Sequence, residues 1–248
     1  MKLAIMENRA KKIADQAKAR FSPPSLFIER GVRGVSILLL LFSLSSADYN
    51  LDQRLFLKIN GCRNAFFDGA SVVLSDIAIL PNVIYVYSLG YGHFRHNPEA
   101  RNFGKTGLLV DAAVITVNQS IKTVVKRERP KFALPEAEGD YADDFVTRIL
   151  PSEKYSFPSQ SASLSMSAAV VLSAVYPDWS AYFYSLAVLN GWARIYRAAH
   201  YPGDVLAGEA LGLGLGFGML ALIKKADTDM DIRNNKPKLP IFSIAKRF

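Results

Sequence analysis

The sequence predicts an all-α protein, a bundle of six membrane-spanning helices. Three observations point there. Half of the 248 residues are hydrophobic and the mean hydropathy is positive, +0.12, which is high for a globule in water. Apolar stretches recur along the chain, and a helix of about 20 such residues crosses a bilayer. The net charge of +8 sits at the ends, with eight cations against three acids in residues 1–33 and seven against three in residues 224–248. Basic ends around an apolar body mark a membrane protein whose termini both face the cytoplasm. A nucleic-acid binder would instead carry a basic face with reading aromatics inside its fold, so no nucleic-acid partner is expected. The single cysteine, Cys62, excludes an intramolecular disulfide framework.

The expected organisation is a basic N-terminal segment over residues 1–33, a membrane domain over 34–223 and a basic tail over 224–248. The N-terminal segment has the composition of an amphipathic helix on anionic lipid. Gly34–Ala47 is the first span, short, and too far from the start for an ordinary signal peptide. Leu51–Asp68 is expected to lie outside, with Leu55, Phe56 and Ile59 at helical spacing. Ala70–Gly92 is the second span, interrupted by Asp76 and Pro81. The loop Gly92–Lys105 holds Arg95, Arg101 and Lys105 and falls inside. Gly107–Ile121 is the third span and carries Asp111 and Asn118. Ser161–Tyr176 is the fourth, rich in small residues as tightly packed membrane helices are. Trp179–Tyr196 is the fifth. Asp204–Ile223 is the sixth, with one interior acid, Glu209, and a row of glycines. Asp76, Asp111, Asn118 and Glu209 are expected to make structural hydrogen bonds between helices.

An even number of spans returns the tail to the side of the head. The long loop Lys122–Gln160 then lies outside, although it opens with Lys122, Lys126, Arg127, Arg129 and Lys131. Five cations on that side oppose the topology rule, so chemistry rather than topology must want them.

Three clusters sit at outer span ends. The first is Lys122 with Arg129-Pro130. The second is Pro158-Ser159-Gln160-Ser161. The third is Arg194, His200 and Asp204. Guanidinium forks match phosphate oxygens, and a helix start at Ser159 offers a hydroxyl and backbone N–H groups to the same anion. His200 and Asp204, four apart, share a helix face. A carboxylate on one imidazole nitrogen leaves the other free as a nucleophile. Together these residue types point to phosphoryl transfer.

These motifs, Lys122-x6-Arg129-Pro130, Pro158-Ser159-x-x and Arg194-x5-His200-x3-Asp204, resemble the three signatures of the type 2 phosphatidic acid phosphatases, over about residues 48–223. The resemblance implies a six-span helical fold and hydrolysis of lipid phosphates without metal or other cofactor. It implies that His200 forms a phosphohistidine, that Asp204 orients it, and that Lys122, Arg129 and Arg194 bind phosphate with help from Ser159, Gln160 and backbone amides. The family's second motif reads Pro-Ser-Gly-His. Here Gln160 and Ser161 replace the last two residues, and Ser161 stands where the family keeps its general acid. His93 and His96 fall in the inner loop and cannot replace it; Tyr155, Asp143 and Asp144 are other proton donors to weigh.

General acid catalysis is worth about 10²–10⁴-fold. A monoester expels a basic alkoxide and needs that proton. A diphosphate expels a phosphate, a far weaker base. The expected substrate is therefore a polyprenyl diphosphate such as undecaprenyl diphosphate, with Lys126, Arg127, Lys131 and Arg197 suited to the second phosphate. The blander reading of these four is contact with solvent or lipid headgroups, and of Ser161 a simple helix cap. The acidic run from Glu136 to Asp144 reads as a solvated loop tip or a lid. The expected setting is the inner membrane of a bacterium with the site facing outward; a lumenal site in the endoplasmic reticulum would fit the same topology. Alternatives are transfer of the phosphoryl group to a lipid or sugar hydroxyl, and a pseudo-phosphatase that only binds anionic lipid. A vanadium-dependent haloperoxidase, which also relies on the replaced histidine, ranks below these. Oligomeric state is not legible.

Overall fold

The computed structural model describes residues 50–139 and 155–234. The expected first span Gly34–Ala47, the basic segment 1–33, most of the basic tail and Asp140, Asp143 and Asp144 lie outside these residues. Helices account for the described architecture: α1 (Leu51–Asn60), α2 (Ala65–Asp76), α3 (Leu80–Phe94), α4 (Pro98–Val125), the short α5 (Pro130–Ala133), α6 (Gln160–Val175), α7 (Ser180–Tyr196) and α8 (Pro202–Asn234).

Local sequence sets the boundaries. Asn50 opens α1 with a capping box, its side chain accepting from the Gln53 N–H while the Gln53 side chain accepts from the Asn50 N–H. Phe56 on α1 is fully buried and meets Tyr201 edge to face at 5.6 Å, whereas Leu55 is exposed. α2 and α3 join through a 3-10 turn over Ile77–Ile79, where the sequence places Asp76 and Pro81. Ala65–Phe94 together make one apolar stretch of 30 residues.

The inner loop is shorter than expected. Asn97 caps α4 by accepting from the Ala100 N–H, and Pro98 takes the first helical position. The connection shrinks to Arg95–Asn97, and Arg101 and Lys105 ride on the first turns of α4. The backbone of His96 adopts φ +52 to make the turn.

Among the described residues, three stretches are long and apolar enough to cross a membrane: Ala65–Phe94, Pro98–Val125 and Pro202–Ala226. α6, with 16 residues, and α7, with 17, are shorter than these. For α6 the packing gives the reason. It lies between α4, α7 and α8 and buries Ser163, Ser165 and Ser167 beside Ala168, Ala169 and Val170. A helix enclosed by protein need not match the lipid in length or hydropathy. Its polar groups tie it to neighbours: Ser163 Oγ donates to Asn118 Oδ1 at 3.2 Å, and Ser165 Oγ to Asn190 Oδ1 at 3.1 Å. Asn190 in turn donates to the Leu74 carbonyl at 2.8 Å. Asn118 thus makes the expected interhelical bond, but buried Asp111 Oδ2 has no partner among the described residues. Val72, Val83, Val86, Leu109, Val188 and Phe217 remain exposed, as side chains turned toward lipid do.

α8 lies against α6 with backbone in near contact. A Cβ on Gly212 would stand 2.3 Å from the Ser163 carbonyl oxygen, and one on Gly208 would stand 2.4 Å from that of Ser159. Glycine at these two positions is what lets the helices approach. This brings the starts of α6 and α8 together, where the motif residues lie.

Candidate active site

His200 occupies the link between α7 and α8 and is 3% exposed. Each face of its ring is assigned by its neighbours. Nδ1 lies 2.7 Å from the Ser156 carbonyl oxygen, which only accepts, so Nδ1 carries the proton. Nε2 lies 3.1 Å from Arg129 Nη1, which only donates, so Nε2 keeps its lone pair. The hydrogen-bond geometry therefore favours a neutral imidazole with its unprotonated nitrogen turned toward a guanidinium. Burial, followed by the positive charges of Arg129, Lys122 and Arg194, holds this histidine well below its ordinary pKa.

The three expected phosphate ligands converge on this ring from separate elements. Lys122 closes the last turn of α4 and is buried. Arg129 sits just before α5, buried, and also donates to the Ala199 carbonyl at 3.0 Å. Arg194 is in the last turn of α7 and donates to the Ser75 carbonyl at 3.3 Å. Three buried cations around one neutral ring make a strong seat for an anion.

The second motif starts α6. Ser159 is its N-cap, fully buried, with its hydroxyl accepting from the Ala162 N–H at 3.5 Å. Its own N–H donates to the Asp204 carbonyl at 2.9 Å, which ties the second motif to the third. Gln160 is buried and accepts from Gln119 Nε2 at 2.7 Å. Ser161 is half-buried, and its hydroxyl makes no hydrogen bond among the described residues. A serine hydroxyl is too weak an acid to serve there as a general acid near neutral pH.

Asp204 is fully buried. Its Oδ2 lies 3.9 Å from His200 Nδ1, beyond hydrogen-bond range. The Ser156 carbonyl makes the orienting bond that the sequence reading gives to Asp204. Oδ1 instead takes Arg127 Nη1 at 2.6 Å, and Oδ2 takes the Tyr201 N–H at 3.0 Å. Arg127, expected at a second phosphate or a lipid headgroup, is held between two carboxylates. Its other nitrogen, Nη2, binds Asp52 Oδ2 at 2.7 Å, and its guanidinium stacks 3.9 Å above the Tyr201 ring. Asp52 Oδ1 accepts from the Gly203 N–H at 2.7 Å, fastening α1 to the start of α8. Arg197, also expected near a second phosphate, is buried.

Two participants, Ser156 and Gln119, escaped the sequence reading, and the pairing of Arg127 with Asp52 did too. Ser156 contributes a backbone carbonyl, for which a sequence has no signal. Gln119 lies three residues before Lys122 on the same helix face, so its spacing could have exposed it. Arg127 and Asp52 are separated by 75 positions, and only the fold pairs them.

Comparison with known proteins adds four findings. Residues 106–227 match the PAP2 superfamily. The chain is 26% identical over 173 residues to a lipid A 4'-phosphatase of Bacteroides thetaiotaomicron, covering 68% of this chain and 74% of that protein. Among solved structures, the chain resembles the LpxE of Aquifex aeolicus with a TM-score of 0.51 at 24% identity, over 72% of this chain and 99% of that one. It resembles a transmembrane PAP2-type phosphatidylglycerolphosphate phosphatase of Bacillus subtilis with a TM-score of 0.57 at 22% identity, over 79% of this chain and 96% of that one. These two likenesses are of fold: a helical bundle shared over most of each solved chain.

Proposed function

Residues 106–227 are a PAP2-superfamily segment, and from that premise we propose that this chain is a membrane phosphatase that cleaves lipid phosphates through a phosphohistidine at His200. The observation that carries the proposal is the neutral imidazole, with its Nε2 lone pair directed into a buried cluster of Arg129, Lys122 and Arg194. A phosphate entering the cluster takes over the Arg129 hydrogen bond and frees Nε2. That nitrogen attacks phosphorus, the bond from phosphorus to the leaving oxygen breaks, and the electron pair leaves on that oxygen. Nδ1–H stays on the Ser156 carbonyl, while the Asp204 carboxylate at 3.9 Å offsets the positive charge on the phosphorylated ring. Water then hydrolyses the phosphohistidine. Transfer to a lipid or sugar hydroxyl would use the same intermediate.

The side-chain inventory favours a lipid diphosphate over a monoester. Neither Gln160 nor Ser161 carries a group that titrates near neutral pH at the second motif, so the best leaving group is one stable as an anion. A polyprenyl diphosphate fits, because Lys122 and the arginines neutralise the departing phosphate. The site lies about 30 Å along α4 from the basic turn His93–Arg101, at 1.5 Å per residue. If that turn is cytoplasmic, the site opens on the outer face of the membrane.

The test is phosphate release by purified protein in detergent, with undecaprenyl diphosphate and phosphatidic acid side by side, for wild type and His200→Ala. The expected result is cleavage of the diphosphate alone, abolished by the substitution, with acid-labile label on wild-type protein after quenching. Equal cleavage of both lipids would remove the diphosphate preference. Cleavage that survives His200→Ala would remove the mechanism.

A further inference from the structure

Gln160 is 7% exposed at the first position of α6, and its side chain is only half satisfied. Its Oε1 accepts from Gln119 Nε2 at 2.7 Å. Among the described residues the amide makes no second hydrogen bond. A primary amide carries two N–H donors, and buried donors are rarely left without an acceptor. The Gln160 amide is thus a spare donor in a buried setting.

Its surroundings select the acceptor. Gln119 stands one turn before Lys122 on the same face of α4. Ser159, the residue before Gln160, is tied to Asp204 at 2.9 Å. The amide is therefore flanked by the cationic seat, reaching Lys122 through Gln119 and the start of α8 through Ser159. A negatively charged oxygen is the acceptor that such a setting draws. Lys122, Arg129 and Arg194 already surround His200, where the phosphoryl group to be transferred sits. In an in-line displacement the leaving oxygen lies across phosphorus from the attacking nitrogen, so it needs a partner of its own.

We propose that Gln160 hydrogen-bonds the departing phosphate of a lipid diphosphate, and that Gln119 is the positioning residue that turns the Gln160 amide the right way round. His200 Nε2 bonds to the terminal phosphorus, the anhydride P–O bond breaks, and its electron pair stays on the oxygen of the departing lipid monophosphate. Gln160 Nε2–H donates to that anion and keeps its proton. Orientation decides the outcome, because a carboxamide turned over presents its oxygen and repels the same anion. By donating to Oε1, Gln119 holds that oxygen against α4 and leaves the N–H groups as the free end.

The inference rests on the reading of this cluster as a phosphate seat, and its test measures binding without turnover. Purified full chain in detergent is titrated by calorimetry with two anions. Inorganic phosphate fills the seat beside His200; methylenediphosphonate adds the second phosphorus and has no oxygen bridge to cleave. Gln119→Met should weaken methylenediphosphonate by about tenfold, the worth of a hydrogen bond to a charged group, and leave phosphate unchanged. Gln160→Met should do the same, and the double variant should lose no more than either alone, since the two side chains act as one unit. Ser163→Ala is the structural control. It cuts another side-chain tie between α4 and α6, the 3.2 Å bond to Asn118, and should leave both anions unchanged. Equal loss of the two anions in Gln119→Met overturns the proposal, as does selective loss in Ser163→Ala. Should Gln119→Met not fold, Gln119→Asn decides, because it keeps the amide but withdraws the donor by one methylene. Selective loss there supports the proposal and no loss overturns it. If the anions behave as stated while wild type releases no phosphate from either lipid, the positioning stands and the proposed function falls. If wild type cleaves the diphosphate through His200 while Gln119→Met binds both anions normally, the positioning alone falls.

Discussion

Gly208 is the position where a single methyl group should damage the site without touching any motif side chain. A Cβ there would stand 2.4 Å from the carbonyl oxygen of Ser159 and 3.2 Å from the Ser163 hydroxyl. Ordinary contact begins near 3.4 Å, so α6 and α8 must part by about 1 Å. The part of α6 that must move is its capping residue, Ser159, whose N–H is bonded to Asp204 at 2.9 Å. The push therefore acts directly on the junction of the second and third motifs. A misplacement of about 1 Å in a preorganised site costs about 10²-fold, and overpacking costs about 1–3 kcal/mol of stability. Gly208→Ala should lower kcat/KM for the diphosphate lipid by about that factor while helical content stays at the wild-type level. The control is Gly214→Ala on the same helix, where a Cβ meets nothing within 4 Å. That variant should keep its activity, and its Tm should be unchanged or higher, because alanine favours a helix by about 1 kcal/mol over glycine. Full activity in Gly208→Ala, or equal loss in Gly214→Ala, would refute the argument that close approach of these two helices holds the site.

Three other outcomes are expected. Gln160→Gly with Ser161→His restores the general acid and should raise phosphatidic acid hydrolysis by about 10²–10⁴-fold, with little gain on the diphosphate; no gain on the monoester would show that the missing proton is not what limits it. His200 is held well below its usual pKa, so the folded protein stays unprotonated there while the unfolded chain takes up a proton as pH falls through about 6.5. Stability should therefore drop as pH falls below 6.5, where the unfolded state binds more protons, and the acid limb of kcat/KM should lie below that pH; a limb at 6.5 or above contradicts the lowered pKa of His200. Asn60 donates to the Glu138 and Tyr196 carbonyls, each at 2.7 Å, and accepts from the Glu138 N–H at 2.9 Å. Asn60→Ala should cost about 2–3 kcal/mol, read as a lower Tm in detergent, and a Tm within about 1 °C of wild type would sink that account.

Much of the site could be read from the sequence because its chemistry resides in side chains of distinctive type and spacing. Lys122, Arg129, Arg194 and His200 needed only their identities to suggest an anion seat. The orientation of His200 was not readable, because a carbonyl does the work and every residue has one. Arg127 looked like a surface cation until folding placed it between two carboxylates 152 positions apart in the chain. Three of the expected spans fall on helices long and apolar enough to cross a membrane, whereas α6 is shorter and sheathed by other helices. The short turn before α4 was encoded after all. Asn97-Pro98 is a helix-start signal, and the charges that followed it drew attention to topology instead.

The site has one more consequence, for the way the protein is made. Asp52 bonds to Gly203 across 151 positions, and Asn60 bonds to Tyr196 across 136. Contacts this distant in sequence close late. A ribosome-bound chain whose last helix has not entered the bilayer has Lys122 and Arg129 in place but neither His200 nor Asp204. Under the proposed function the chain is thereby silent until its last helix is in place, and the first turnover reports that the fold is complete.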